Sequence, residues 1–121
     1  ANSGPRRGMV DAQDRIWTAL NRTDQISVYD QKTQKFQTWS TGIPEYYAYD
    51  VWVDKYGEAW ASTEFADRVS RVNTVTGEVT NYLLPGPTNM RRSHGDNATK
   101  PATFWVGANH TANIVRVEPL E

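Results

Sequence analysis

A pattern headed by tryptophan occurs three times in this chain, at intervals of 43 and 45 residues. The copies read Ile16-Trp17-Thr18-Ala19-Leu20-Asn21, Ala59-Trp60-Ala61-Ser62-Thr63-Glu64 and Phe104-Trp105-Val106-Gly107-Ala108-Asn109. Nine residues beyond each tryptophan stands a branched apolar residue (Ile26, Val69, Ile114), and Tyr29, Val72 and Val117 follow at the twelfth. Polar turns separate short β-branched and aromatic runs. Such a chain is one supersecondary unit used three times, because a single unit of this kind cannot bury its own faces.

A full copy reads as four strands. In the first copy they are expected at Arg7–Asp11, Arg15–Asn21, Gln25–Asp30 and Phe36–Trp39; in the second at Asp50–Asp54, Glu58–Thr63, Arg68–Asn73 and Glu78–Leu83. Gly57 and Gly77 close turns in which a hairpin needs positive φ. The third copy has nine residues from Asp96 to Trp105, where the others have six from Asp11 and Asp54, and Pro101 marks the extra segment as a loop. It also stops after its third strand, giving about eleven strands. A 40–50-residue repeat of short strands is the signature of a β-propeller blade. The expected class is therefore all-β, a partial propeller of three antiparallel blades in a single domain 1–121, with blades at about 6–46, 47–89 and 90–121.

Propellers close with roughly four to eight blades, so three leave two apolar faces open. Leaving ~600 Å² of such surface in water forgoes on the order of 15 kcal/mol at ~25 cal/mol per Å². A homo-oligomer is expected, most simply two chains closing a six-bladed ring with two-fold symmetry. A strand exchanged between chains could complete the short third blade.

The formal net charge of −1 gives no broad attraction to nucleic acid or to an anionic membrane. No apolar run approaches spanning length, and no signal peptide is visible. Cysteine is absent, which leaves no disulfide or thiolate metal site and leaves the compartment open between cytoplasm and periplasm.

Candidate site residues follow from the geometry of a propeller, whose inner strands and blade-to-blade loops converge on the channel mouths. The ends of the tryptophan strands supply Asn21, Glu64 and Asn109, with His110 beside the last. The starts of the inner strands supply Arg6-Arg7, Tyr49-Asp50 and Arg91-Arg92, aligned by their distance from Asp11, Asp54 and Asp96. The loops leading in supply Tyr46, Tyr47 and Asn89. The arginines could grip a carboxylate or phosphate bidentately, or they could pair with Asp50 and Glu64 and brace the blades. A base role for His94 or His110 requires a partner that tunes the imidazole and a dry pocket. Trp17, Trp60 and Trp105 are expected in the core. Trp52 shares its slot with Met9 and His94, and is expected to line the channel beside Tyr46, Tyr47 and Tyr49 as a platform for a small-molecule or peptide ligand. No pair of histidines or carboxylates has an established metal spacing, and no cofactor is evident.

The run Gly57-Glu-Ala-Trp60-Ala-Ser-Thr-Glu64, then Arg68-Val-Ser-Arg-Val-Asn73 and Thr76-Gly-Glu-Val-Thr-Asn-Tyr-Leu83-Leu-Pro85, resembles a blade of the bacterial streptogramin B (virginiamycin B) lyase family. The tail from Leu84 through Phe104-Trp-Val-Gly-Ala-Asn-His to Leu120 is similar to the C-terminal blade of such propellers. The resemblance implies the C-terminal portion, the last blades only, of a seven-bladed single chain. It implies elimination chemistry on a cyclic depsipeptide, with a histidine base and acidic residues holding Mg²⁺. Glu64 matches the glutamate closing the tryptophan-strand motif, but the equivalent slots hold Asn21 and Asn109, weaker Mg²⁺ ligands than a carboxylate. Two functions stay open: a self-associating propeller module with a channel-mouth binding pocket, or a lyase-like enzyme using His94 or His110 with Glu64 and a divalent metal.

Overall fold

β-Branched and aromatic residues at alternating positions make every copy of the repeat a pleated sheet with two faces to bury. In the structure, a computed structural model describing residues 2–120, eleven strands form three antiparallel sheets. Ala1 and Glu121, the ends of the expected domain, lie outside the described residues. Blade 1 contains β1 (Pro5–Val10), β2 (Arg15–Leu20), β3 (Gln25–Asp30) and β4 (Lys35–Ser40) in that spatial order. Blade 2 contains β5 (Ala48–Val53), β6 (Glu58–Thr63), β7 (Arg68–Asn73) and β8 (Val79–Leu83); blade 3 has only β9 (Met90–Asp96), β10 (Thr103–Ala108) and β11 (Asn113–Val117). The fold is thus an all-β partial propeller with no closed sheet. The tryptophans occupy one register position, Trp17 opposite Met9, Trp60 opposite Trp52 and Trp105 opposite His94.

Each blade has two faces, and the pattern residues sort onto them. The trailing face carries the tryptophan and the ninth-position residue; the leading face carries the twelfth. The trailing face of blade 1, with Trp17 and Ile26, packs on Val51, Val53, Ala59, Ala61 and Val72 of blade 2. Trp60 and Val69 pack in turn on Phe104, Val106 and Val117 of blade 3, with the Trp60 and Phe104 rings stacked 5.3 Å apart. The outer strands complete each layer: Trp39 stacks on Trp17 and Tyr82 on Trp60.

The third tryptophan does not join the core. Trp17 and Trp60 are 1% and 0% exposed, whereas Trp105 is 39% and its companion Ile114 76% exposed. The reason is positional: among the described residues no sheet covers the trailing face of blade 3, and the Arg116 guanidinium lies over the indole, 5.5 Å from its centre. The leading face of blade 1 is open in the same way, leaving Val10, Ile16 and Phe36 exposed.

Turn carboxylates recur with the repeat. Asp11 Oδ1 accepts the Gln13 and Arg15 amides, and Asp54 Oδ1 those of Tyr56 and Glu58, while the second oxygen of each accepts the indole N–H of Trp17 (2.7 Å) or Trp60 (3.1 Å). Burial opposes ionisation of Asp11, but the bonds from Trp17 and Arg15 outweigh it and hold the carboxyl below its ordinary range. In blade 3 the longer hairpin moves Asp96 out of reach, and among the described residues no such bond is made to Trp105.

Candidate functional site

The inner strands all break register at the same end. Between Pro5↔Leu20 and Gly8↔Thr18, between Ala48↔Thr63 and Asp50↔Ser62, and between Met90↔Ala108 and Ser93↔Val106, the inner strand advances one residue further than its partner. These are β-bulges, which bend a strand and re-aim its side chains. The residues inside them are Arg6 and Arg7, Tyr49, and Arg91 and Arg92. Three bulges therefore turn the aligned positions of three blades towards one mouth.

Tyr49 is the meeting point. The guanidinium carbons of Arg7, Arg91 and Arg6 lie 5.5, 5.7 and 5.8 Å from its ring centre, so cations from blades 1 and 3 flank an aromatic ring of blade 2. Among the described residues Arg6, Arg7, Arg91 and Arg92 form no ion pair, so the expected bracing partnership with Asp50 and Glu64 is not made. The Arg7 Nε–H is buried without an acceptor, and Arg91 Nε donates to Asn89 Oδ1 at 3.3 Å. Arg92 is exposed. Asp50 is buried and accepts the backbone amides of Val51 and, across the blade boundary, Ser93, each at 3.0 Å. Burial pushes its carboxyl up, with those amides and the nearby Arg7 charge pulling the other way.

Glu64 joins a second group. Asn21, buried at the end of β2, donates through Nδ2 to Glu64 Oε2 and to the Ala48 carbonyl, both at 3.2 Å. Asn89 Nδ2 donates to the Glu64 carbonyl. The Asn21, Glu64 and Asn109 amides donate to the Gly4, Tyr47 and Asn89 carbonyls, the same bond in each blade. The Asn21 side chain thus ties blade 1 to blade 2. Exposed His110 lines a cleft of about 280 Å³ with Glu64, Asp67 and Asn89. Asn109, beside it, is exposed.

Three expected pocket residues lie elsewhere. Trp52 is in the core between blades 2 and 3, not on the channel wall, because Gly95 lets the indole lie directly on the β9 backbone. Tyr46 is fully buried; its hydroxyl donates to the Ala61 carbonyl at 2.7 Å and accepts the Ser70 amide, and burial pushes it well above an ordinary phenol. It pins the linker rather than meeting a ligand. His94 sits mid-strand in the slot of Met9 and Trp52, exposed, with its ring 6.3 Å from that of Trp52. His110 shares a cleft with the Glu64 and Asp67 carboxylates.

Among the described residues no group of three or more His, Cys, Asp or Glu side chains is placed to hold a metal ion. Glu64 shares its cleft with one further carboxylate, Asp67, whose Oδ1 is taken by the Thr88 amide and hydroxyl, so the donor set falls short of the oxygen-rich shell that Mg²⁺ prefers.

Two features carry no signal that was read from the repeat. Asp24 and Asp67, 43 residues apart in left-handed conformation (φ 54° and 49°), hold the linkers into the following blades. Asp24 accepts the Glu45 and Tyr47 amides and Asp67 the Thr88 amide and hydroxyl. The third such position is Ala112 (φ 53°), which has no carboxylate. The spacing alone would have exposed the pair. At the opposite end of the blades, a hollow of about 720 Å³ runs between Asp11, Arg15, Lys32, Asp54 and Lys55.

No family model matches the chain, and no curated protein does. Solved structures give the class: a β-propeller sector resembling the streptogramin B lyases. Virginiamycin B lyase from Staphylococcus aureus superposes on 100% of this chain and 43% of its own with a TM-score of 0.76 at 17% identity. A streptogramin B lyase covers 99% of this chain and 42% of its own, TM-score 0.78 at 16% identity. The extracellular domain of a one-component system from B. thetaiotaomicron follows at 0.67 and 21%, over 95% of this chain and 17% of its own. The chain therefore spans less than half the length of the lyases whose fold it shares.

Proposed function

We propose that this chain is a binding module: a propeller sector that associates with a second copy through its two open faces and presents a channel-mouth pocket to a small-molecule or peptide ligand. One observation carries the reading. The exposed residues at the two ends occupy slots whose counterparts are buried inside the chain: Trp105 matches Trp17 and Trp60, and Ile16 matches Ala59 and Phe104. Faces of this kind already mate twice within one molecule, and water is a poor substitute for the missing sheet. The pocket is centred on Arg7, Tyr49 and Asp50, with Asn21, Arg92 and Asn109 on its rim.

The test is the mass in solution by multi-angle light scattering. Twice the 13.7 kDa of one chain is expected, falling to a single chain in Trp105→Asp or Ile16→Asp. A stable wild-type monomer at high micromolar concentration rejects the association.

The alternative reading, a lyase-like enzyme, draws support from His110 and Glu64 lining one cleft. Its test is turnover of a streptogramin B lactone by wild type against His110→Ala and Glu64→Ala. Activity lost in both variants replaces the binding module with the enzyme.

A further inference from the structure

From the three aligned bulges we infer that Arg6, Arg7 and Arg91 form an oxyanion site around Tyr49, taking a ligand that presents a carboxylate or a phosphoryl group. The inference deepens the channel-mouth reading above and rests on it, by naming the chemistry of the ligand.

Three observations converge. First, the cations are gathered by backbone design: each blade inserts its extra residue at the same place, and in two of the three blades the inserted segment is a pair of arginines. Second, the charges are not neutralised. Each guanidinium carbon lies within 5.8 Å of one ring centre, no ion pair is formed by any of them among the described residues, and the Arg7 Nε–H is buried with nothing to accept it. Like charges gathered around one ring repel, and an orphaned buried donor is a cost, so the arrangement gains by admitting an acceptor anion. Third, the nearby carboxylate does not fill that role. Asp50 directs one oxygen to the Val51 amide and the other to the Ser93 amide, each at 3.0 Å, and forms no ion pair with these arginines.

A planar carboxylate and a tetrahedral phosphoryl both match guanidinium forks, which donate paired N–H bonds. Tyr49 supplies a floor that holds the guanidinium planes in place, and the apolar body of a ligand would extend from there along the mouth towards Asn21 and Asn89.

The experiment measures thermal midpoint and calorimetric binding of the full chain with sodium phosphate and with tricarballylate, against sodium chloride at matched ionic strength. Both probes are expected to raise the midpoint and to saturate; Arg7→Gln and Arg91→Gln should each weaken the better probe by about tenfold or more. Lys32→Gln, an exposed cation at the opposite end of the blades, should change nothing. Preference for phosphate identifies a phosphorylated ligand, preference for tricarballylate a carboxylate, and equal binding the shared oxyanion chemistry. Without ligand, the Arg7→Gln midpoint should equal or exceed that of wild type, since repulsion is relieved; a fall marks an arginine that braces the blades and overturns the inference. It is equally overturned if neither probe acts beyond chloride, or if Lys32→Gln loses as much as Arg7→Gln. Light scattering on the same samples separates the two readings: intact assembly without oxyanion binding sinks only the ligand chemistry.

Discussion

Gly95→Ala is the sharpest probe of how the blades meet. A Cβ built on Gly95 lies 2.0 to 2.2 Å from three ring carbons of Trp52, an overlap no side chain tolerates. Carbon atoms pack at about 3.5–4.0 Å, so the indole must retreat by about 1.5 Å. It has nowhere to go: it sits in the layer with Trp60 and Phe104, and its strand is central to two interfaces. Overpacking of this kind costs roughly 1–3 kcal/mol, and a rigid ring meeting a new carbon belongs at the upper end. Gly107→Ala in the neighbouring strand is the control, because nothing lies within 4 Å of its added carbon and alanine suits a strand better than glycine. With a urea m-value of about 2 kcal/mol/M, Gly95→Ala should lower the denaturation midpoint by about 1.5 M while Gly107→Ala leaves it unchanged or slightly raised. Pairing the change with Trp52→Leu should recover about 1–2 kcal/mol as coupling between the two sites. If Gly95→Ala is as benign as Gly107→Ala, the close approach of blade 2 to the β9 backbone is wrong, and with it the placement of Trp52 in the core.

Three further outcomes follow. In a lone chain, Trp17→Ala and Trp60→Ala should each cost about 3–5 kcal/mol and Trp105→Ala clearly less, measured by urea denaturation at low micromolar concentration. Asp67→Ala, which strands the Thr88 amide and hydroxyl, should cost about 1–2 kcal/mol and raise hydrogen exchange at Thr88; Ala112→Asp, at a backbone position aspartate accepts more readily, should cost nothing. The Asp11 and Asp50 carboxyls should tilt stability in opposite senses with pH. The contribution of Asp11, whose carboxyl is held low in the fold, is full above its ordinary value of 3.8 and vanishes as pH falls through the folded value, so Asp11→Ala should approach wild type in strong acid. For Asp50, held high, the contribution is full below 3.8 and is lost as pH rises through the folded value. The deficit of Asp50→Asn should therefore shrink from pH 4 to pH 7, and a growing deficit refutes the shift.

Much of the architecture was written in spacing. The tryptophan interval, the turn glycines and the shortened third copy lead directly to eleven strands in three sheets, because strand periodicity and turn chemistry are local properties. The burial of Trp105 was not legible, since burial depends on whether a neighbouring sheet exists. Trp52 was misplaced for a related reason: position on an inner strand does not say which way a side chain points when the covering strand carries a glycine at the contact. At the mouth, alignment of Arg6-Arg7, Tyr49-Asp50 and Arg91-Arg92 could be counted, but the bulges that turn them inwards are register shifts between strands. Those arise from pairing and leave no residue signature of their own. Likewise Asn21 and Glu64 were expected at one mouth, and only coordinates reveal that they spend their polar groups on one another.

The two uncovered sheets at the ends of this molecule are unlike each other, and that asymmetry has an organisational consequence. Phe36 and Ile16 cap one end while Trp105 and Ile114 cap the other, so if identical chains join as successive blades do, one end against the other, the contact runs head to tail. Such contacts carry a direction, as links in a belt do. The number of links is then governed by the wedge angle between successive sheets and not by any counting device in the chemistry. A substitution that alters the tilt of a single interior joint, Gly95 being the obvious one, would change how many chains complete the belt, or leave it unbuckled.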